Sequence, residues 1–204
     1  MNKLKATKIL SVLEEKYPNS KILLTYSNNF ELLVSVILSA QTTDAQVNKI
    51  TPSLFKKYRG KNETEEISNF ANADIKMLEK DINSIGLFRA KAKNIKLASQ
   101  IILEKFKGRI PKTMDELLFL PGVGRKTANV VLYSAFGKIE GVAVDTHVRK
   151  LSKELGFTNN THPGKIEKDL MKLFDKNDWP KITFLLIAYG RDLRRSKKNK
   201  LFLS

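Results

Sequence analysis

At 204 residues, with 42% hydrophobic and 28% charged side chains, the chain is long enough for one substantial core or two small lobes and has ordinary globular composition. Thirty-seven Lys and Arg against 21 Asp and Glu give a net charge of +16, which points to a polyanionic partner, nucleic acid ahead of an anionic membrane surface. The absence of cysteine excludes disulfides, thiolate catalysis and Cys-ligated zinc or iron–sulfur centres within these residues, and two histidines, His147 and His162, argue against a His-rich metal site.

The predicted elements are helical throughout, with no sustained apolar–polar alternation. Leu4, Ile9, Leu10, Leu13 and Tyr17 form one amphipathic stripe stopped by Pro18. No membrane-length apolar run follows, and MNKLKATKIL lacks the pattern of a secretion signal, so a soluble cytoplasmic protein is expected. Asn28 and Glu31 have capping-box spacing ahead of FELLVSVILSA, which is apolar nearly all round and reads as a buried helix. After Gln41-Thr42-Thr43-Asp44 a helix carries Val47, Ile50, Leu54 and Phe55, and Pro52 is expected to kink or restart it. A short helix over 74–82 leads to the break Ser84-Ile85-Gly86-Leu87, and Ile95, Ala98, Ile102 and Phe106 stripe a long helix ending near Gly108.

Thr113 and Glu116 again have capping-box spacing and begin a short helix that runs into Pro121-Gly122-Val123-Gly124. ANVVLYSAF is its helical partner, ending at Gly137. Asp145 caps THVRKLSKEL, Pro163 opens a helix through Phe174, and Pro180 opens one through about Gly190. The total is roughly ten helices with short links and no repeat period.

Pro121 fixes one backbone angle while Gly122 and Gly124 allow left-handed or crowded conformations. A turn of this kind leaves successive N–H groups facing outward beside the positive end of the next helix, which makes a seat for phosphate. Arg125 and Lys126 then fall in the first helical turn, where the backbone is already positive and a cation is electrostatically misplaced.

LPGVGRKTANVVL with VDTHV downstream resembles the helix-hairpin-helix DNA glycosylases, and within them the endonuclease III family. FELLVSVILSAQTTDAQVNK, SIGLFRAKAKNI and FLLIAYGR extend the likeness over nearly the whole chain. The resemblance implies an all-α fold of two helical lobes with the active site in the cleft between them. One is a six-helix lobe over 22–138 containing the helix-hairpin-helix, and the other combines 1–21 with 139–204. It implies a monomer acting on duplex DNA that contains damaged bases or abasic sites, associated with the nucleoid through that DNA. The activity implied is removal of oxidised pyrimidines and strand cleavage by β-elimination. An 8-oxoguanine glycosylase/lyase and a non-catalytic DNA-binding protein are the alternatives.

In the chemistry the resemblance implies, Lys126 attacks C1′ of the deoxyribose and Asp145 stabilises the charge that builds as the base leaves. An amine attacks only when neutral, and a free lysine with pKa about 10.4 is almost wholly protonated at neutral pH. Arg125, the helix end and partial burial would all disfavour the cation. Asp145 is also a good N-cap, and both roles are compatible. The likeness places Gln41 and Leu87, assisted by Ile85, as side chains inserted into the duplex, a hydrogen-bonding filler and an apolar wedge. Gly122, Val123, Gly124 and Arg125 are the expected phosphate contacts. No metal is needed, and whether the hairpin carbonyls hold a structural cation is left open.

The chain departs from the resemblance at its C-terminal end. AYGRDLRRSKKNKLFLS aligns with the start of a region where the family carries four cluster-ligating cysteines, and none of them is present, so no iron–sulfur cofactor is expected. In their place stand Arg191, Arg194, Arg195, Lys197, Lys198 and Lys200. Direct charge would then take over the DNA contacts of the cluster loop, each contact releasing counterions. Deleting residues 194–204 is therefore expected to weaken DNA binding and flatten its salt dependence; an unchanged slope of affinity against salt would remove this role.

Overall fold

A computed structural model describes residues 1–196. Among them are eleven α-helices and no strand: α1 (Lys3–Lys16), α2 (Asn29–Leu38), α3 (Asp44–Tyr58), α4 (Glu63–Asn72), α5 (Ile75–Asp81), α6 (Phe88–Phe106), α7 (Met114–Leu118), α8 (Arg125–Phe136), α9 (Thr146–Glu154), α10 (Pro163–Leu173) and α11 (Trp179–Ser196). The chain divides into two compact units, Leu23–Gly137 and a second made of Met1–Ile22 with the chain from Lys138 onward.

The first unit is built around α2. Asn28 accepts from the Glu31 N–H at 2.8 Å, and the Glu31 carboxylate accepts from the Ser27 N–H at 2.5 Å, so the helix start is closed from both directions. Every residue from Phe30 to Leu38 is buried. Such an element has no polar face, and its neighbours must surround it. The long helix α6 packs along α4 and terminates it: Lys96 Nζ donates to Ala73 O at 2.7 Å and Gln100 Nε2 to Ala71 O at 3.1 Å. These bonds serve carbonyls that a helix end leaves unsatisfied.

This unit holds seven helices rather than six. The additional one, α4, starts at Asn62, whose side chain accepts from the Glu65 N–H at 2.9 Å, and it buries Ile67, Phe70 and Ala71. Pro52 neither stops nor restarts α3. Val47 before it and Leu54 and Phe55 after it are all buried, so the core holds both halves in one helix despite one missing backbone bond.

In the second unit α1, α9, α10 and α11 share one core, in which Phe157 and Phe174 meet edge to face with centroids 5.2 Å apart. The α1 stripe faces the core as expected at Ile9, Leu10, Leu13 and Tyr17, and departs from expectation only at Leu4. Ala6, Ile9, Leu10 and Leu13 are buried, whereas Leu4, one position off that face, is 68% exposed. Trp179 begins α11 and donates its indole N–H to Phe174 O at 3.1 Å, closing the end of α10. α11 continues past Gly190 to Ser196, and a glycine within a helix needs a reason, given below.

Glu66 on α4 is buried; its Oε2 accepts from Asn28 Nδ2 at 2.7 Å and its Oε1 has no hydrogen-bond partner. Burial raises its pKa above the ordinary carboxylate value, and Glu31 and Glu63 push the same way against the Asn28 bond and Arg59. A folded-state pKa above the unfolded one means that ionisation costs the fold. The penalty is absent below the ordinary carboxylate pKa, grows as pH rises from there to the shifted one, and is constant above it. Glu66→Gln keeps the acceptor for Asn28 and removes the charge. It is expected to raise the melting temperature at pH 7 by about 2–4 °C, the shift worth roughly 1 kcal/mol in a chain of this size, with the gain vanishing near pH 4; scanning calorimetry at the two pH values checks this.

Candidate active site and nucleic-acid interface

Between α7 and α8 the chain turns through Pro121, Gly122, Val123 and Gly124. The Val123 N–H donates to Leu120 O at 3.1 Å and the Val123 side chain is buried. Val123 therefore anchors the turn, with its N–H already engaged inside it. The two glycines also differ. Gly122 has φ of +81°, and a Cβ there would lie 3.0 Å from Nδ2 and 3.1 Å from Cβ of Asn94 on α6. Gly124 is extended, at φ −101° and ψ 176°, a conformation open to any residue, and nothing lies within 4 Å of where its Cβ would be. Its contribution is clearance for an approaching group.

Gly124 provides no side-chain cap for α8, and the first turn of α8 contains no acidic residue. The leading N–H groups of the helix have no intrahelical carbonyl to bind. Exposed Arg125 and half-buried Lys126 stand on that first turn. The backbone charge at this end, two cations and an unobstructed glycine together suit an anion.

Elsewhere in the same unit two side chains stand on left-handed backbone. Gln41, at φ 55°, is exposed in the turn after α2, and Leu87, at φ 59° and ψ 31°, is 60% exposed at the start of α6. An exposed leucine on a backbone region that L-residues avoid is held outward at a cost of about 1–2 kcal/mol. Ile85, expected to assist them, is only 1% exposed; its N–H donates to Ile82 O at 2.9 Å and its side chain lies in the core. It supports the loop from beneath and presents nothing to a duplex.

In the second unit Asp145 is half-buried and caps α9, its Oδ1 accepting from the Val148 N–H at 2.8 Å. That bond fixes one carboxylate oxygen. Two residues on, the His147 ring lies against Gly190, where a Cβ would stand 2.2 Å from Nδ1, so only glycine fits at this point of α11. Burial holds His147 below the usual imidazole range; Arg194, Arg191 and Lys150 add repulsion, and Asp145 opposes them. An open depression of about 910 Å³ is lined by Arg149, Lys150, Lys153 and Arg194, with Glu154 its one acidic residue. Arg195 is exposed nearby in sequence, and Lys197, Lys198 and Lys200 lie outside the described residues. His147, Gly190 and Asn94 were not assigned these packing roles from sequence; the only local signals were a lone glycine in AYGR and a polar residue in a helix stripe.

The sequence pattern of the HhH-GPD superfamily of base excision DNA repair proteins matches residues 34–176. The chain belongs to that superfamily. It is 48% identical to endonuclease III of Synechocystis sp. over 96% of its own length and 87% of the relative, and 44% identical to that of Bacillus subtilis over 89% and 80%. A solved endonuclease III trapped as a covalent intermediate on DNA shares 40% identity with it. That structure superposes with a TM-score of 0.90 over 98% of this chain and 91% of the other.

The four-cysteine cluster site that the resemblance implies does not fit this chain. Its 204 residues contain no cysteine, and among the described residues no group of three His, Asp or Glu is placed to hold a metal ion. Among the same residues no helix is long and apolar enough to cross a membrane.

The unlike glycines give separable outcomes. Gly122→Ala must take a left-handed backbone against Asn94 and is expected to lose about 1–2 kcal/mol of stability. Gly124→Ala is expected to keep its melting temperature while binding duplex DNA several-fold more weakly, because its methyl group occupies the clearance. Denaturant melts and fluorescence anisotropy distinguish the two.

Proposed function

We propose that this chain is a DNA glycosylase and abasic-site lyase of base excision repair, acting on duplex DNA and removing oxidised pyrimidines. The observation that carries the reading is Lys126 on the first turn of a helix with no side-chain cap, next to Gly124, which has nothing within 4 Å of where its Cβ would be. Family membership supports it, and so does the likeness to an endonuclease III trapped covalently on DNA.

The hairpin and α8 N–H groups hold a backbone phosphate, and Arg125, Arg191, Arg194 and Arg195 add charge along the strand. Gln41 and Leu87 enter the duplex where the damaged nucleotide leaves it. Lys126 Nζ, as the neutral amine, bonds to C1′; the C1′–N glycosidic bond breaks and its electron pair departs with the base, which takes up a proton. The carboxylate of Asp145 stabilises the positive charge developing on the sugar and accepts the proton released by the amine. The sugar ring opens as O4′ leaves C1′ with its electron pair, giving a Schiff base. That cation acidifies C2′–H, and removal of the proton expels the 3′ phosphate by β-elimination. One covalent intermediate serves both base removal and strand cleavage.

Borohydride reduces such an intermediate to a stable adduct. The wild-type protein is expected to become covalently attached to an abasic duplex and Lys126→Ala is not; a wild type that does not trap would leave a DNA-binding protein without this chemistry. Asp145→Asn keeps an equally good helix cap, so it is expected to retain stability while losing on the order of 100-fold or more in single-turnover base removal. Cleavage of a panel of single-lesion duplexes tests the preference for oxidised pyrimidines.

A further inference from the structure

Lys91, in the second turn of α6, is 4% exposed, yet no carboxylate accompanies it. Its ammonium donates to Leu38 O at 2.8 Å, Ala40 O at 2.5 Å and Thr42 Oγ1 at 3.0 Å. An ammonium has three protons, and all three are engaged by neutral oxygens. Burying a cation without a counter-ion is unfavourable, and desolvation lowers its pKa from the ordinary lysine value. A core position that needed only packing would take an apolar side chain.

The three acceptors bracket one residue. Leu38 is the last residue of α2, Ala40 immediately precedes Gln41 and Thr42 follows it, so the ammonium grips the turn on both sides of the left-handed Gln41. The opposite end of Lys91 is tied to the second left-handed residue, since its backbone N–H donates to Leu87 O at 3.0 Å. The two loops also touch directly. A Cβ on Gly86 would lie 3.6 Å from Gln41 O and 3.8 Å from Thr42 Oγ1, and Gln46 Nε2 donates to Ser84 Oγ at 2.9 Å. One lysine thus joins the Gln41 turn to the start of the helix that carries Leu87.

We propose that Lys91 is the positioning residue for nucleotide extrusion, holding the Gln41 turn in its left-handed form and in register with Leu87 so that both side chains enter the duplex as one unit. The inference rests on the reading that Gln41 and Leu87 insert into DNA. It assigns Lys91 no contact with substrate and no part in the covalent step. Without the ammonium, three oxygens beside Gln41 lose their common donor, the turn samples other conformations, and Leu87 meets the duplex without its partner.

The test compares borohydride trapping on an abasic site in a duplex, where a nucleotide must be displaced, with the same site in a single strand, where it need not be. Lys91→Met is expected to lower the duplex-to-single-strand ratio of trapping rates about tenfold, in line with the sensitivity of such steps to small misplacements. It should also abolish the fluorescence change of 2-aminopurine placed opposite the abasic site. Thr42→Val removes one acceptor and is expected to shift the ratio the same way by a smaller factor; it decides the matter if Lys91→Met folds poorly. Lys96→Met removes a lysine–carbonyl bond from the same helix away from both loops and is expected to leave the ratio unchanged. Amide exchange over 39–43 should quicken in Lys91→Met and not in Lys96→Met. An unchanged ratio in Lys91→Met and Thr42→Val, or an equal fall in Lys96→Met, overturns the role of Lys91. A wild type that traps on neither substrate overturns the enzymatic reading itself, and the positioning role with it.

Discussion

Side chains along one stretch of α6 fix the turn that carries Gln41, the hairpin at Gly122 and the end of α4. Lys91 secures the turn after α2, Asn94 fills the space that Gly122 leaves in the hairpin, and Lys96 and Gln100 close the end of α4. The helix spans 19 residues and offers a regular repeat, rising about 1.5 Å per residue. Loops by themselves are the least ordered parts of a fold, so a site built from them needs such a reference element. The two loops joined through Lys91 carry left-handed residues, conformations that persist only where the surroundings over-determine them.

Charge is distributed to match. The α8 end presents backbone N–H groups with cations on its first turn, and in the second unit Arg149, Lys150, Lys153 and Arg194 line one depression. Burial, with the arginines of α11 and Lys150, holds the His147 pKa below the ordinary imidazole value against Asp145. Its ring packing explains why α11 keeps a glycine in mid-helix, where alanine would otherwise be the better helix former.

Much of this was legible in the sequence because short polar signals mark helix starts. Asn28, Thr113 and Asp145 cap helices as their spacing with the following residues suggests. α4 escaped because its first turn carries Glu63, Glu65 and Glu66, which dilute the apolar stripe, although Asn62 has the same offset to Glu65 as Asn28 to Glu31. A restart at Pro52 and a helix end near Gly190 are what local propensity favours, and tertiary packing carries the helix through both positions. In the hairpin and the SIGL loop the residue types were recognisable, but their directions were not. Whether Ile85 or Leu87 faces outward, and which of two glycines bears the unusual φ, depends on backbone angles that only the assembled neighbours set. Lys91 gave no signal at all: a lysine among lysines looks like solvated surface until its burial is known.

Trp179, bonded to the Phe174 carbonyl just past α10, is the only indole in the chain, and it belongs to the unit formed by α1 and α9–α11. The helices α2–α8 contain none. Excitation at the red edge of protein absorption therefore reports on one half of the molecule alone, while circular dichroism weighs every helix. The two spectroscopies, run on one denaturation series, resolve whether the halves come apart together or in sequence without any label being attached.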